Sequence, residues 1–468
     1  MKGTPVTTFL TATQNQTTRT ENGMLTRRSS ANACVDLFYT IGTRPSDEII
    51  PAFAQAHAEE RELALRIAQW ARDVRGGAGM RDTFRTILTY LEQVDVAGAR
   101  ALLPNIPVIG RWDDLLVLRG ALKSAAFDLI AEGLAAGNQL CAKWMPRQGP
   151  VAIALRQHLG LSPKQYRQLL VGLTNVVEQQ MCARRWHDID FAAVPSQAAL
   201  RYRTAFAART PLYGIYLKQL AAGEAKINAT AIYPHQVIRP LADHARTDAD
   251  VTLVRAQWQA LPNYIGAASV LPLVDVSGSM GVQIAPNIRA IDVAVALGLY
   301  MADKNVGAFK DLVLTFTAQP ELLYLQGDIV AKYASLMDAN WGMNTNLHAA
   351  FDRILEVAVA NQVPAAEMPQ TLLILSDMQF DECVEHDDSA IEMIVRKYTA
   401  AGYQVPQVVF WNLRDSHGIP ARHDQRGVAL VSGYSPSLMR GILELGTTAT
   451  AEEVLRQTVV IPRYDLRG

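Results

Sequence analysis

Leu271-Pro272-Leu273-Val274-Asp275-Val276-Ser277-Gly278-Ser279-Met280 runs an apolar stretch straight into three oxygen side chains at alternating positions. A short apolar run closed by a Ser/Gly turn reads as a buried strand. One carboxylate and two hydroxyls from a single loop are hard oxygen donors, suited to a cation such as Mg2+ that keeps several waters. Positions are then left open for a water or for a partner's group. Two later stretches add donors of the same kind. Trp341-Gly342-Met343-Asn344-Thr345-Asn346 places a Thr hydroxyl before a helical pattern, and Thr371-Leu372-Leu373-Ile374-Leu375-Ser376-Asp377 ends a second apolar strand on a carboxylate.

This pattern resembles the metal-ion-dependent adhesion site of von Willebrand factor A (vWA) domains, matched at Asp275, Ser277, Ser279, Thr345 and Asp377. The resemblance implies a bound Mg2+, or another divalent cation such as Mn2+ or Ca2+. It further implies that Ser277, Ser279 and Thr345 bind it directly and that one or both carboxylates act through water. A phosphatase of the haloacid dehalogenase type wants a second Asp two residues after the first, where Ser277 stands. A serine-hydrolase elbow needs Gly-x-Ser-x-Gly, a frame that neither Ser277 nor Ser279 has. Hydroxyls that merely cap a following helix would not require Thr345 and Asp377 further on.

The chain has 468 residues, more than one core normally serves, so more than one domain is expected. With 49% hydrophobic and 19% charged residues it reads as a globular, water-soluble protein. No apolar run approaches the ~20 residues of a membrane span, and the Thr-rich start lacks the apolar core of a signal peptide. Cytoplasmic residence with no membrane partner is expected. Cys34, Cys141, Cys182 and Cys383 are scattered with no Cys-x-x-Cys pair, so they are expected to be buried small side chains.

Charge is unevenly divided. Residues 1–260 carry 30 Lys and Arg against 22 Asp and Glu, a net +8, while the remainder carries 14 against 23, a net −9. A basic first half suits a polyanionic partner, although charges of this size also spread over solvated helix faces.

Periodicity changes near the same place. Between residues 31 and 245 apolar side chains recur at helical spacing, as in Leu63, Ile67, Trp70, Val74 and in Phe84, Ile87, Leu88, Leu91. Gly76-Gly77-Ala78-Gly79, Pro104, Pro107, Ser162-Pro163, Pro195 and Pro211 mark breaks between helices. No fixed-period repeat is visible, so a HEAT-like array is inferred from helix pairs and short loops. From residue 271 strands and helices alternate. Strands are predicted over 271–275, 311–317, 321–325, 371–376, 406–412 and 427–431. Helices are predicted over 287–304, 328–338, 346–361, 388–401 and 435–444. That alternation predicts a largely parallel, doubly wound, Rossmann-like sheet with ligands at the carboxyl ends of its strands. The expected organisation is α + α/β: a flexible segment over 1–30, a helical-repeat domain over 31–262, and a vWA domain over 263–468. A fragment beginning near Val251 is expected to fold alone.

The first half carries a second resemblance. Arg72-Asp73-Val74-Arg75-Gly76-Gly77-Ala78-Gly79-Met80-Arg81-Asp82-Thr83-Phe84, Gly110-Arg111-Trp112-Asp113-Asp114-Leu115 and Ala142-Lys143-Trp144-Met145-Pro146 resemble an uncharacterised family with a vWA-like C-terminal half. Trp186-His187-Asp188-Ile189-Asp190-Phe191, Ser376-Asp377-Met378-Gln379-Phe380-Asp381 and Ser432-Gly433-Tyr434-Ser435 fit the same family. That family is similar in architecture to the TROVE or Ro proteins, in which a helical-repeat ring carries a vWA domain. The resemblance implies binding of noncoding, structured or misfolded RNA as a ribonucleoprotein component.

Arg72, Arg75, Arg81 and Arg85 surround the Gly-rich break and are the candidate RNA contacts, since guanidinium forks and exposed amides grip phosphate. The same arginines could instead pair with Asp73, Asp82 and Glu62, with Gly76 capping a helix. Trp112 and Trp186 read as core anchors. His187, His235 and His348 lack ligand spacing, and His386-Asp387-Asp388 reads as a helix start. Gly76-Gly77-Ala78-Gly79 follows no strand and precedes no Gly-Lys-Ser/Thr, so it is no nucleotide loop. A binding protein is expected rather than an enzyme. The alternative to RNA binding is a protein-interaction adaptor whose cation captures a partner's carboxylate. A metal-dependent hydrolase is a third reading.

Overall fold

The structure, a computed structural model, describes residues 17–285, 287–316, 319–339, 344–382, 388–415 and 418–466. The first half is helical and the second is built on a mixed sheet with parallel strands. An antiparallel hairpin of β1 (Thr17–Arg19) and β2 (Leu25–Arg27) comes first, so the segment expected to be a flexible start carries ordered strands from Thr17. Amphipathic helices follow at Ala33–Thr40, Ile49–Glu59, Arg61–Arg72 and Arg81–Val94. Leu63, Ile67 and Trp70, and likewise Phe84, Ile87, Leu88 and Leu91, are the buried stripes of the last two, as their spacing predicts. Pro163–Leu173 starts where Ser162-Pro163 places it: Ser162 Oγ accepts from Gln165 N at 3.3 Å and Gln165 Oε1 accepts from Ser162 N at 2.9 Å.

The second half begins with β3 (Val270–Asp275), followed by the small hairpin β4 (Gln283–Ala285) and β5 (Ile288–Arg289). Then come β6 (Leu312–Phe316), β7 (Leu322–Tyr324), β8 (Thr371–Ser376), β9 (Gln407–Asn412) and β10 (Val428–Ser432). Their order in the sheet is β10-β9-β8-β3-β6-β7, all parallel except β7. β3, β8, β9 and β10 are buried along their whole length because helices cover both faces. After β3 the chain moves to β6 on one side and later returns to β8 on the other. The crevice between the carboxyl ends of β3 and β8 is therefore the switch point where such sheets bind ligands.

Sequence spacing placed these strands and helices to within a few residues, but it missed β4–β5 and the helix Ala451–Val459. The helix expected from His386 starts at Ala390, capped by Ser389, whose N–H donates to Glu392 at 2.9 Å. His386, Asp387 and Cys383 lie outside the described residues. Cys34 and Cys141 are buried as expected, whereas Cys182 is exposed.

One apolar core runs through both halves, and a smaller aromatic cluster forms around Phe191, Phe206, Tyr213 and Tyr216. The helix Ala33–Thr40 lies against β10, where Ser432 Oγ donates to Phe38 O at 3.0 Å and accepts from Gly42 N at 3.1 Å. A Cβ on Gly42 would stand 2.6 Å from Gly433 N, so only glycine allows the two backbones this close. The C-terminal segment returns to the helical half. Tyr464 Oη donates to Asp73 at 3.0 Å, Gln69 Nε2 donates to Tyr464 O at 2.8 Å, and Arg463 Nη2 donates to Asp73 at 2.8 Å.

Candidate functional site

Asp275 is the last residue of β3 and lies opposite the end of β8, since Val274 pairs with Leu375. Gly298, on the helix Ala290–Lys304, lets that helix press on the strand, because a Cβ there would meet Val274 at 2.4 Å. The Asp275 carboxylate accepts from Ser277 N at 2.9 Å and from Ser376 Oγ at 2.5 Å. Ser277 takes extended backbone just before the short 3-10 turn Gly278–Gly281, and its hydroxyl lies 3.0 Å from that of Ser279. Asp377, just past β8, is fully buried; it accepts from Gln379 N at 3.3 Å and pairs with Arg414 Nη1 at 3.3 Å. Met378 beside it holds a left-handed backbone at φ 63°, with its N–H donating to Ser376 Oγ at 3.0 Å. Thr345 is buried at the start of the helix Leu347–Ala360, and its carbonyl accepts from Asp381 N at 3.1 Å. That bond ties the Thr345 loop to the loop following Asp377. Trp341, Gly342 and Met343 lie outside the described residues.

Burial and the neighbouring Asp377 carboxylate push Asp275 up to about 7. Two buried carboxylates stand close together beside the paired Ser277 and Ser279 hydroxyls of the β3 turn, and among the described residues Arg414 is the cation paired with Asp377. This donor set fits a hard divalent cation. Among the described residues no group of three or more His, Cys, Asp or Glu is gathered, so any cation here depends on the hydroxyls. Ser376 and Arg414 were not singled out in the sequence. Ser376 could have been read from its place at the end of β8; Arg414 is beside Asp377 only because β9 lies next to β8.

The loop after Asp377 is held from outside by the N-terminal hairpin. Thr20 Oγ1 donates to Phe380 O at 2.7 Å, Glu21 N to Gln379 Oε1 at 2.6 Å, and Asn22 Nδ2 to Gln379 O at 2.7 Å.

The candidate arginines separate. Arg72 is 1% exposed and donates through Nε to Asp114 at 2.7 Å, so it is corrected from an RNA contact to one half of an internal ion pair. Arg85 shares Asp114 at 2.7 Å and Asp113 at 3.0 Å yet keeps an open edge. Arg81 meets Asp82 at 3.3 Å, and Arg75 donates to Val108 O at 3.2 Å; both remain partly open to solvent. The expected partner Glu62 holds Arg66 instead, and Asp73 holds Arg463. An open groove of about 590 Å³ is lined by Arg85, Thr89, Asp113, Arg119 and Trp144, with the Arg111 guanidinium 3.4 Å above the Trp144 ring and Asp113 shared by Arg85 and Arg111. Arg119 and Trp144 were not among the candidates. Trp112 is a packing residue as expected, since a Cβ on Gly133 would strike its ring at 2.5 Å.

Replacing Arg72 by Ala should cost about 3 kcal/mol, because Asp114 would stay buried with its remaining partners. Urea denaturation checks this, and a loss below about 1 kcal/mol would mean that Arg85 alone satisfies Asp114.

Two domain models of unknown function divide the chain: DUF2828 matches residues 20–110 and 155–271, and DUF7788 matches residues 269–461. Their junction falls at the first residues of β3. The chain belongs to the family of the uncharacterized protein L728 of Acanthamoeba polyphaga mimivirus, to which it is 31% identical over 491 residues, 91% of this chain and 84% of that protein. It is also similar to the crystal structure of the Deinococcus radiodurans RO (RSR) protein, with 14% identity and a TM-score of 0.45 over 92% of this chain and 100% of that one.

Proposed function

We propose that this protein is a non-enzymatic, cytoplasmic RNA-binding component of the TROVE or Ro kind. In this reading a HEAT-like helical half takes noncoding, structured or misfolded RNA, and a vWA-type half holds a divalent cation. The observation that carries the reading is the Arg85–Arg119–Trp144 groove on the half whose net charge is +8. Trp144 is half-buried with one edge on the groove, and cationic forks beside an accessible aromatic ring are what single-stranded nucleic acid uses: phosphates meet arginine and an unstacked base meets the ring. Among the described residues no helix is long and apolar enough to cross a membrane.

The cation would be held by Ser277, Ser279 and Thr345, with Asp275 and Asp377 acting directly or through water. It would supply a Lewis-acidic point for an anionic group. Arg414, 3.3 Å from Asp377, favours a second reading in which that group is a partner protein's carboxylate.

Fluorescence anisotropy with one structured and one single-stranded RNA tests the first reading. Log affinity should fall linearly with log salt, by about 0.7 for each phosphate neutralised on a single strand. Arg81→Gln and Arg119→Gln should each flatten that slope without changing the melting temperature. Absence of binding to both RNAs at about 50 mM salt would reject RNA binding and leave the cation-dependent adaptor as the better account.

A further inference from the structure

A cavity of about 340 Å³ lies where the helical half meets the α/β half, within the size range of small-molecule sites. Its walls come from the Pro234–Ala242 region on one side, and from the helices Ala290–Lys304 and Ile329–Met337 on the other. Ile238, Ile291 and Val295 make an apolar floor, and Tyr333 and Met337 add a ring and a polarisable sulfur. Such surfaces favour a flat aromatic body over a polar one.

The charges at the rim are unequal in availability. Arg289 is held by Asp292 at 2.7 Å, and Asp243 accepts from Ala245 N at 2.9 Å within its own turn. Arg239 is exposed at the mouth and forms no ion pair with any described residue. His235, 5% exposed, also lines the cavity, and its Nδ1 has no hydrogen-bond partner among the described residues. A buried polar atom left without a partner costs free energy that a bound polar group would recover. Burial and nearby Arg239 hold this imidazole down to about 4, against the pull of Asp292, so it is neutral and can accept or donate one hydrogen bond.

We propose that this cavity binds a small aromatic anion, its ring system against Tyr333, Met337 and the isoleucine floor, its acid group at Arg239, and a polar ring atom at His235. The inference stands apart from RNA binding, because the cavity shares no residue with the Arg85–Trp144 groove.

The test is a fluorescence titration of the full chain with 8-anilinonaphthalene-1-sulfonate, an aromatic anion used as probe. Saturable enhancement at a single class of site is expected. Arg239→Gln should weaken it about tenfold, the size expected for losing one charge-assisted hydrogen bond. Ala242→Trp, which places a large ring at the exposed mouth, should abolish it. Both positions face solvent, so folding is checked simply by an unchanged thermal melt. Should Ala242→Trp disturb the melt, Arg239→Gln decides alone. No saturable binding, or binding unchanged by Arg239→Gln, would overturn the proposal. Loss on blocking the mouth with Arg239→Gln unaffected would overturn the anionic class.

Discussion

Residues 251–468 expressed alone should give no cooperative melt, although their sheet and most of its covering helices lie within that range. The outer strand β10 is covered by the helix Ala33–Thr40, and the helix Ala451–Val459 packs against Arg61–Arg72. Removing the helical half would expose β10 where Val35, Leu37 and Phe38 now shield the core, each of them fully buried. At about 1.5–3 kcal/mol for each buried side chain, that loss alone approaches the whole stability of an ordinary domain, about 5–15 kcal/mol. The C-terminal anchor of Arg463 and Tyr464 on Asp73 would be lost with it. The fragment should keep far-UV circular dichroism, lose its near-UV signal and bind hydrophobic dye. A single sharp thermal transition with a native near-UV spectrum would show that the α/β half needs no partner, as its alternating periodicity by itself implies.

Asp275→Asn should stabilise the cation-free protein and remove its response to Mg2+. Burial and Asp377 raise Asp275 to about 7, well above the usual carboxylate value, so the folded chain binds this proton more tightly than the unfolded chain does. Stability without a cation must then fall as pH rises from about 4 to about 7. Above that range the ionised carboxylate costs on the order of 3–4 kcal/mol, from about three pKa units. Asparagine keeps an acceptor for Ser277 N–H and carries no charge, so the variant in EDTA at pH 8 should gain about that much and show a flat profile. Wild type should regain stability with Mg2+, by about 2.7 kcal/mol at a hundredfold excess over Kd, and the variant should regain none. Denaturant melts at pH 5 and pH 8, with EDTA or Mg2+, and calorimetric titration with Mg2+ decide the matter. Equal Mg2+ binding by both proteins would remove Asp275 from the cation site.

Much of this was legible without coordinates because it depends on neighbours in sequence. Asp275, Ser277 and Ser279 share one loop, and the apolar runs before Asp275 and Asp377 are long enough to be strands and too short to be helices. The helix Ala451–Val459, missed by spacing, carries a local signal that could have placed it: Thr450 and Glu453 form a capping box, with Thr450 N donating to Glu453 at 2.8 Å. Other features were decided by tertiary structure alone. The helical spacing around Arg72 says which face is buried, but not that its guanidinium would be buried too, with Asp114 as its partner 42 residues away. Arg414 is beside Asp377 only through the adjacency of β8 and β9, and the N-terminal hairpin reaches Gln379 across 358 residues. Spacing along a chain encodes which side chains share a face of one helix or strand. Which faces then meet depends on chain closure and on how two surfaces fill space together. That is why the strand ends and the Ser/Gly turn after β3 could be read from their letters, while the covering helix of β10 and the cavity at the junction could not.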